Sequence, residues 1–482
     1  MKDSRDGVSA GIYERMSQNN SLVDALNEAP LGLFHLRAVI TAGLGFFTDA
    51  YDLFIIGAAL VLIKSEWHLN SSQVGLVGSA TLIATFIGAF VFGRLADIYG
   101  RKKLYGLEAA IMGIGALLSA FSPNFIWLVI FRIIMGIGIG GDYPVSAVIM
   151  SEFSNTKDRG KTVGLVFSMQ ALGTIVGPMV AITLVGAGIQ HDLAWRIMLG
   201  LGAIPALAVI YLRRTLPESP RFEAQVKGRE AEAASTMRKF TNGTVDAKSN
   251  SLTKNVQRLT FRQFITNPRF LITLIGTAGT WFVFDYAYYG NTISTGAILK
   301  LVSPHMSLIQ NEAISLMIFS IAAVPGYVVA FLTMDKIGHK RLQLIGFFVM
   351  GLMFLLIGVI PGVTKDLIPF VLLYGVSYFF AEFGPNTTTF VMAAELFPVS
   401  QRTTGHGISA GIAKIGAFIG VFIFPVLSSH LGLNGTLDIT FGFALAGILL
   451  TLLLPEPANK SMESLTDMGQ PSSVAKTVST GA

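Results

Sequence analysis

The stretch DIYGRKK at residues 97–103 returns 238 positions later as DKIGHKR at residues 335–341, with an aspartate, a glycine three residues on and a closing basic pair in both copies. A second pair of anchors keeps nearly the same displacement. Glu152 stands seven residues before Arg159, and Glu395, 243 positions further along, stands seven before Arg402. Two matched pairs at almost one spacing mark an internal duplication, so the chain reads as two related halves.

The material around these anchors is apolar. Of 482 residues, 52% are hydrophobic and 13% are charged, about half the charge of an ordinary soluble domain. Runs of roughly 20 apolar residues, long enough to cross a bilayer as helices, recur near residues 36–62, 74–96, 104–122, 125–150, 162–187, 195–213, 270–297, 312–334, 342–360, 367–393, 404–429 and 435–454. The 51 glycines suit helices packed closely in lipid. The expected architecture is an all-α membrane protein of twelve transmembrane helices in two pseudo-symmetric groups of six. The boundaries are a tail at 1–35, a first half at 36–213, a linker at 214–268, a second half at 269–455 and a tail at 456–482. The linker, polar from Pro217 to Pro268, reads as surface helix without chemistry of its own.

Charge fixes the expected orientation. Arg94, Arg101, Lys102, Lys103, Lys157, Arg159, Lys161, Lys336, Lys340, Arg341 and Arg402 fall in alternate loops, and the loops between offer little beyond Lys64, Lys300 and Lys365. Positive loops stay in the cytoplasm, so both termini and the linker should lie there, in a cell membrane. The net charge of +6 is explained by this topology and gives no reason to invoke nucleic acid. No cysteine is present, which excludes disulfides and thiolate chemistry. Neither a metal-binding histidine cluster nor a Gly-x-Ser-x-Gly turn is found among the spans, so an enzyme is not expected, and no cofactor or metal is implied. The tripeptide GKT at 160–162 lacks the first glycine of a phosphate-binding loop, because residue 155 is Asn. The repeated acids and bases, Asp97, Arg101, Glu152, Arg159, Asp335, Glu395 and Arg402, should instead form gating contacts between helix ends.

Polar residues inside the spans follow the duplication. In WFVFDYAYYG at 281–290, Asp285 interrupts an aromatic run. A charge at mid-membrane costs roughly 3 kcal/mol or more and usually faces a functional cavity. Its counterpart in the first span is Asp49, within GFFTDAYD at 45–52, which also holds Asp52. Asp142 in GGDYP at 140–144 corresponds to the neighbourhood of Asn386 in EFGPNTT at 382–388, and Gln170 to that of Lys414. Matched polar positions in corresponding helices favour a central site between the halves. Lys414, with Tyr143, Gln170, Trp281, Tyr289 and Asn386 as hydrogen-bond donors, makes an inventory suited to an anion. Ionised together, Asp49, Asp52, Asp142, Asp285 and Glu382 would repel that anion, so at least one should carry a proton when it binds, and anion and proton should cross together. Arg132, in FRIIMG at 131–136, should gate the proton by pairing with Asp49 or Asp52, or else form an interhelical salt bridge. His406, at the start of the eleventh span, should hold an interface position.

The loop motif GRLADIYGRKK at 93–103, its second copy and PESPR at 217–221 resemble the major facilitator superfamily. Within it GFFTDAYD, GGDYP, the spacing Trp281, Asp285, Tyr289, Gly290 and NTTTF at 386–390 closely resemble the phosphate:proton symporter family, over all twelve spans. The resemblance implies that Tyr143, Gln170, Trp281, Asp285, Tyr289 and Asn386 hold inorganic phosphate with Lys414 nearby, and that Asp49, Asp52 and Asp142 carry protons. It also implies an amide at position 382, where this chain has Glu382. The expected activity is phosphate and proton import by alternating access, by a protein functional as a monomer. A proton-coupled organic-acid or sugar carrier of the same fold, or a phosphate-sensing receptor, are the alternatives.

Overall fold

A computed structural model describes residues 22–241 and 258–466. Among the described residues, eleven helices are long and apolar enough to cross a membrane. The last of these, Val399–Thr451, is two helices read as one, because Gly432 interrupts it with φ 67° and ψ 177°. Twelve crossing helices result. They are α1 Leu33–Trp67, α2 Ser72–Tyr99, α3 Arg101–Ala120, α4 Phe125–Phe153, α5 Arg159–Gly186, α6 His191–Arg214, α7 Pro268–Ile293, α8 Leu308–Ile337, α9 His339–Val359 and α10 Leu367–Glu395, with α11 and α12 at 402–431 and 433–451. Each expected span falls on one of these within a few residues. The architecture is the twelve-helix bundle in two six-helix halves that the duplication predicts.

Helices are required here because lipid offers no partner to a backbone N–H or C=O. Their ends need other partners, and the two ends of the molecule meet that need differently. At the end away from the chain termini the caps are local. Asn70 accepts the Gln73 N–H at 2.9 Å to start α2, Asn124 accepts that of Ile126 at 3.1 Å to start α4, and Ser307 accepts that of Gln310 at 3.2 Å to start α8. At the termini end, two helices are capped by carboxylates from the opposite half, described below.

The halves meet along α2 with α11 and α5 with α8. At the first seam a Cβ placed on Gly93 would lie 2.7 Å from the Thr403 carbonyl oxygen and 3.1 Å from the Gly407 Cα, so the absence of side chains lets the two backbones touch. Two helices change pitch in mid-course. A π-helical turn at Phe319–Ala323 precedes Pro325 in α8, and another at Glu382–Asn386 contains Pro385 in α10. A cavity of about 430 Å³ opens between the halves at the end away from the termini, lined among others by Phe54, Lys64, Thr292, Lys300 and Asn311.

The linker contributes helices at Glu230–Phe240 and Phe261–Thr266. Residues 242–257 of the expected linker lie outside the described residues. Short helices at Leu22–Glu28 and Met462–Thr466 meet at Arg221. Its guanidinium donates to Asn27 Oδ1 at 2.8 Å, to the Glu152 carbonyl at 3.2 Å and to the carboxylate of Glu463.

Candidate functional site

Trp281, Asp285 and Tyr289 are four residues apart and therefore share one face of α7. That face looks onto α11, where Lys414 Nζ donates to Asp285 Oδ2 at 2.8 Å and to the Tyr289 hydroxyl at 3.0 Å. The ammonium also lies 4.2 Å from the centre of the Tyr289 ring and 4.7 Å from that of Tyr143 on α4, a cation held between two aromatic faces. The Tyr143 and Tyr289 hydroxyls approach to 3.4 Å, which joins the two halves across the molecular centre. Every member is buried. A buried ammonium is tolerable only when paired, and Asp285 is its partner.

Aromatic rings close the site. Phe46 packs edge-on against Tyr143 and Phe390, and Trp281 stands at 88° to both Phe390 and His406. Toward the cavity, Phe54 stacks on Tyr289 with ring centres 5.8 Å apart. His406 is fully buried against the Trp281 and Phe390 rings. It therefore lies beneath the site and not merely at an interface, a position hidden in the sequence because only its contacts with Trp281 and Phe390 define it. Gln170 is buried with its amide nitrogen unpartnered.

The acids of the first half divide into two sets. Asp142 is engaged: Arg213 Nη2 reaches its Oδ1 at 2.5 Å, and the same guanidinium holds Glu108 through Nη1 at 2.9 Å. Ser146 donates to Asp142 Oδ1 at 2.5 Å, and the Tyr105 ring covers the arginine at 4.3 Å. Asp49 is fully buried with no hydrogen-bond partner on either oxygen, and its electrostatic neighbours are Asp142, Arg213, Asp52 and Lys414. Asp52 has one unpartnered oxygen. Arg132 does not form the expected ion pair with Asp49 or Asp52. Its Nε donates to the Val77 carbonyl at 3.0 Å, and Asp52 is a more distant charge. Arg213 at the end of α6 and Glu108 in α3 were not foreseen, since Arg213 reads in sequence as one more positive residue at a span end.

In the second half, the π-helical turn of α10 presents Glu382 and Asn386 together. The Asn386 amide donates to Glu382 Oε2 at 2.5 Å and to the Tyr327 hydroxyl of α8 at 2.8 Å. Tyr288 of α7 faces the same carboxyl group.

All seven expected gating residues come together at the termini end, in two clusters related by the duplication. Asp97 at the end of α2 accepts the N–H groups of Thr403 and Thr404, at 3.3 and 2.7 Å, at the start of α11. Asp335 at the end of α8 accepts those of Gly160 and Lys161, at 3.1 and 2.7 Å, at the start of α5. Each carboxylate thus caps a helix N-terminus of the other half, where the helix dipole favours negative charge. Glu152 binds Arg101 and Arg402, each at 3.1 Å. Glu395 correspondingly binds Arg159 at 2.8 Å and His339 at 3.1 Å. His339 stands 238 positions after Arg101 and takes its part, a role masked in sequence by the chemical difference between the two.

Comparison with known proteins agrees with this architecture. Residues 38–468 match the sugar (and other) transporter family. A probable inorganic phosphate transporter 1-6 from Arabidopsis thaliana is 36% identical over 96% of this chain and 99% of its own length. The inorganic phosphate transporter PHO84 of Saccharomyces cerevisiae is 34% identical over 95% of this chain and 89% of its own. Among solved structures, the proton:xylose symporter XylE bound to 6-bromo-6-deoxy-D-glucose superposes with a TM-score of 0.75 at 21% identity, covering 90% of this chain and 98% of its own, and so supports the fold. The chain belongs to the sugar (and other) transporter family of the major facilitator superfamily: it is a multi-pass membrane transporter and not an enzyme.

Proposed function

We propose that the protein is a symporter that imports inorganic phosphate together with protons across the cell membrane by alternating access. Residues 36–213 and 269–455 act as the two moving halves. The observation that carries the reading is the Lys414, Asp285, Tyr289 and Tyr143 cluster shared between those halves. It is read together with full-length similarity to proteins named as inorganic phosphate transporters. The loop charges favour cytoplasmic termini, which makes the latched end cytoplasmic and the cavity external. Each chain holds its site between its own halves, consistent with action as a monomer.

Phosphate entering past Phe54 meets the Lys414 ammonium, the Tyr143 and Tyr289 hydroxyls and the Trp281 indole, with Gln170 and Asn386 completing the donors. All present N–H or O–H groups to phosphate oxygens. Asp285 accepts from a P–OH group, which selects a protonated phosphate over a fully ionised one. Asp49, buried beside Asp142 and without a partner of its own, carries the proton that balances the incoming negative charge. Loading weakens the hold of Lys414 on the Asp285 carboxylate, and closure over the external cavity then accompanies release of the cytoplasmic latches.

The test is labelled phosphate uptake into proteoliposomes with and without an inward proton gradient, for the unmodified protein and Asp285→Asn. Gradient-driven accumulation in the first, reduced at least tenfold in the second, supports the reading. Accumulation of a carboxylate or a sugar under the same gradient, with none of phosphate, sinks the substrate assignment.

A further inference from the structure

The Glu382 carboxyl group occupies donors that an oxyanion would otherwise use. It is fully buried. Its Oε2 takes the Asn386 amide, the hydroxyls of Tyr288 and Tyr327 face the carboxyl group, and Oε1 has no hydrogen-bond partner among the described residues. The groups around it can be named helix by helix. Tyr288 faces it from α7, Tyr327 from α8, and Tyr378 and Asn386 from α10, whereas α9 meets this turn through Gly346 against Gly384 and Pro385. None of these is a cation, unlike the arginine and lysine partners of Asp142 and Asp285. The cluster is continuous with the central site. Tyr327 lies within electrostatic reach of Tyr143 and Tyr289, and Tyr288 packs edge-on against Tyr289 at 5.4 Å.

Resting on the phosphate symport reading, we propose that Glu382 is a tethered stand-in for the substrate anion, which competes for the Asn386 and tyrosine donors until a proton neutralises it. An ionised carboxylate and a phosphate oxygen ask for the same N–H and O–H groups and repel one another, so the two do not share them. Binding of one proton from water at Oε1 forms an O–H bond and removes the charge. The carboxyl becomes a donor at one oxygen, and the Asn386 amide turns to the incoming phosphate. Release of phosphate returns the donors to Oε2 once the proton leaves. The device adds a proton requirement in the second half, separate from Asp49 in the first. The four-residue spacing makes it possible, because it sets Glu382 and Asn386 side by side on one face of α10.

The experiment is phosphate binding to purified full-length protein from acid to alkaline pH, read by the fluorescence of its four tryptophans, for the unmodified chain and Glu382→Gln. Phosphate's own titration is common to both. The unmodified protein should lose affinity as pH rises, and the variant should show a slope shallower by up to about tenfold per pH unit, the maximum for one linked proton. Equal slopes in two proteins that both bind phosphate overturn the inference and leave symport standing. No phosphate binding by the unmodified protein at any pH overturns both. If Glu382→Gln does not fold, Asn386→Ala supplies the second measurement. It should weaken binding severalfold at acid pH, where the donor is free, and little at alkaline pH. An equal loss throughout overturns the inference.

Discussion

Arg159 Nε donates to Glu395 Oε1 at 2.8 Å, fastening the start of α5 in one half to the end of α10 in the other. Arg402 and Glu152 form the corresponding bond from α11 to α4 at 3.1 Å. Both are fully buried charge-assisted contacts, and both must part if the termini end is to open.

Loss of one such contact should therefore bias the protein toward the state open at this end. The chain has no cysteine, so a single Thr403→Cys probe reports on the seam. Adding Glu152→Gln should raise its maleimide reaction rate about tenfold, the effect of ~1.5 kcal/mol removed from one state alone. An unchanged rate would mean that the Glu152 contacts do not hold the end closed.

Arg213 neutralises two buried carboxylates at once. Arg213→Met should lower stability by about 3–5 kcal/mol, because Asp142 and Glu108 are left buried and uncompensated. The triple variant Arg213→Met, Asp142→Asn, Glu108→Gln should regain most of that loss. Melting followed by tryptophan fluorescence checks both, and no recovery in the triple variant would contradict the electrostatic account.

Phe54 separates the cavity between the halves from Tyr289. Its stacked contact is of a kind worth about 0.5–1.5 kcal/mol. Phe54→Ala should increase the leak of protons into phosphate-free vesicles severalfold, measured with a trapped pH dye. A leak no greater than that of the unmodified protein would show that other rings suffice as the seal.

Glu463 docks the C-terminal helix on Arg221. Burial raises the carboxyl, but the Arg221 and Arg402 charges outweigh it and hold it at about 2, below the ordinary glutamate value. A carboxylate depressed in this way stabilises the fold fully above its unfolded value of about 4.3, and loses that contribution as pH falls toward 2. The melting temperature of the unmodified protein should exceed that of Glu463→Gln above pH ~5, and the gap should close on acidification. A gap that stays constant with pH would assign the contact to packing.

Much of this was legible because the duplication is written in residue identities. Asp97 and Asp335, Glu152 and Glu395, and Arg159 and Arg402 announce two matched ion clusters from the sequence alone. Apolar length placed the helices. The central cluster was legible through Asp285 and Lys414, charged residues set within apolar spans, which the structure brings together as an ion pair. What escaped depended on reach across the bundle. Arg213 looks like a span-end charge until its side chain is seen between Asp142 and Glu108. Arg132 was assigned acidic partners, yet its Nε goes to the Val77 carbonyl. Asn386 was counted as a donor to the anion, and the structure shows its amide already held by Glu382 four residues earlier.

Arg221 ties together two segments 436 positions apart, since Asn27 and Glu463 both bind its guanidinium and approach one another to 3.5 Å. The knot lies at the termini end, and through the Glu152 carbonyl it also holds the end of α4, the helix that carries Tyr143. Its strength therefore weighs on the balance between the arrangements that the two halves adopt. A change at this one arginine therefore acts on that balance from outside the central cluster, through two segments that lie far apart in the chain.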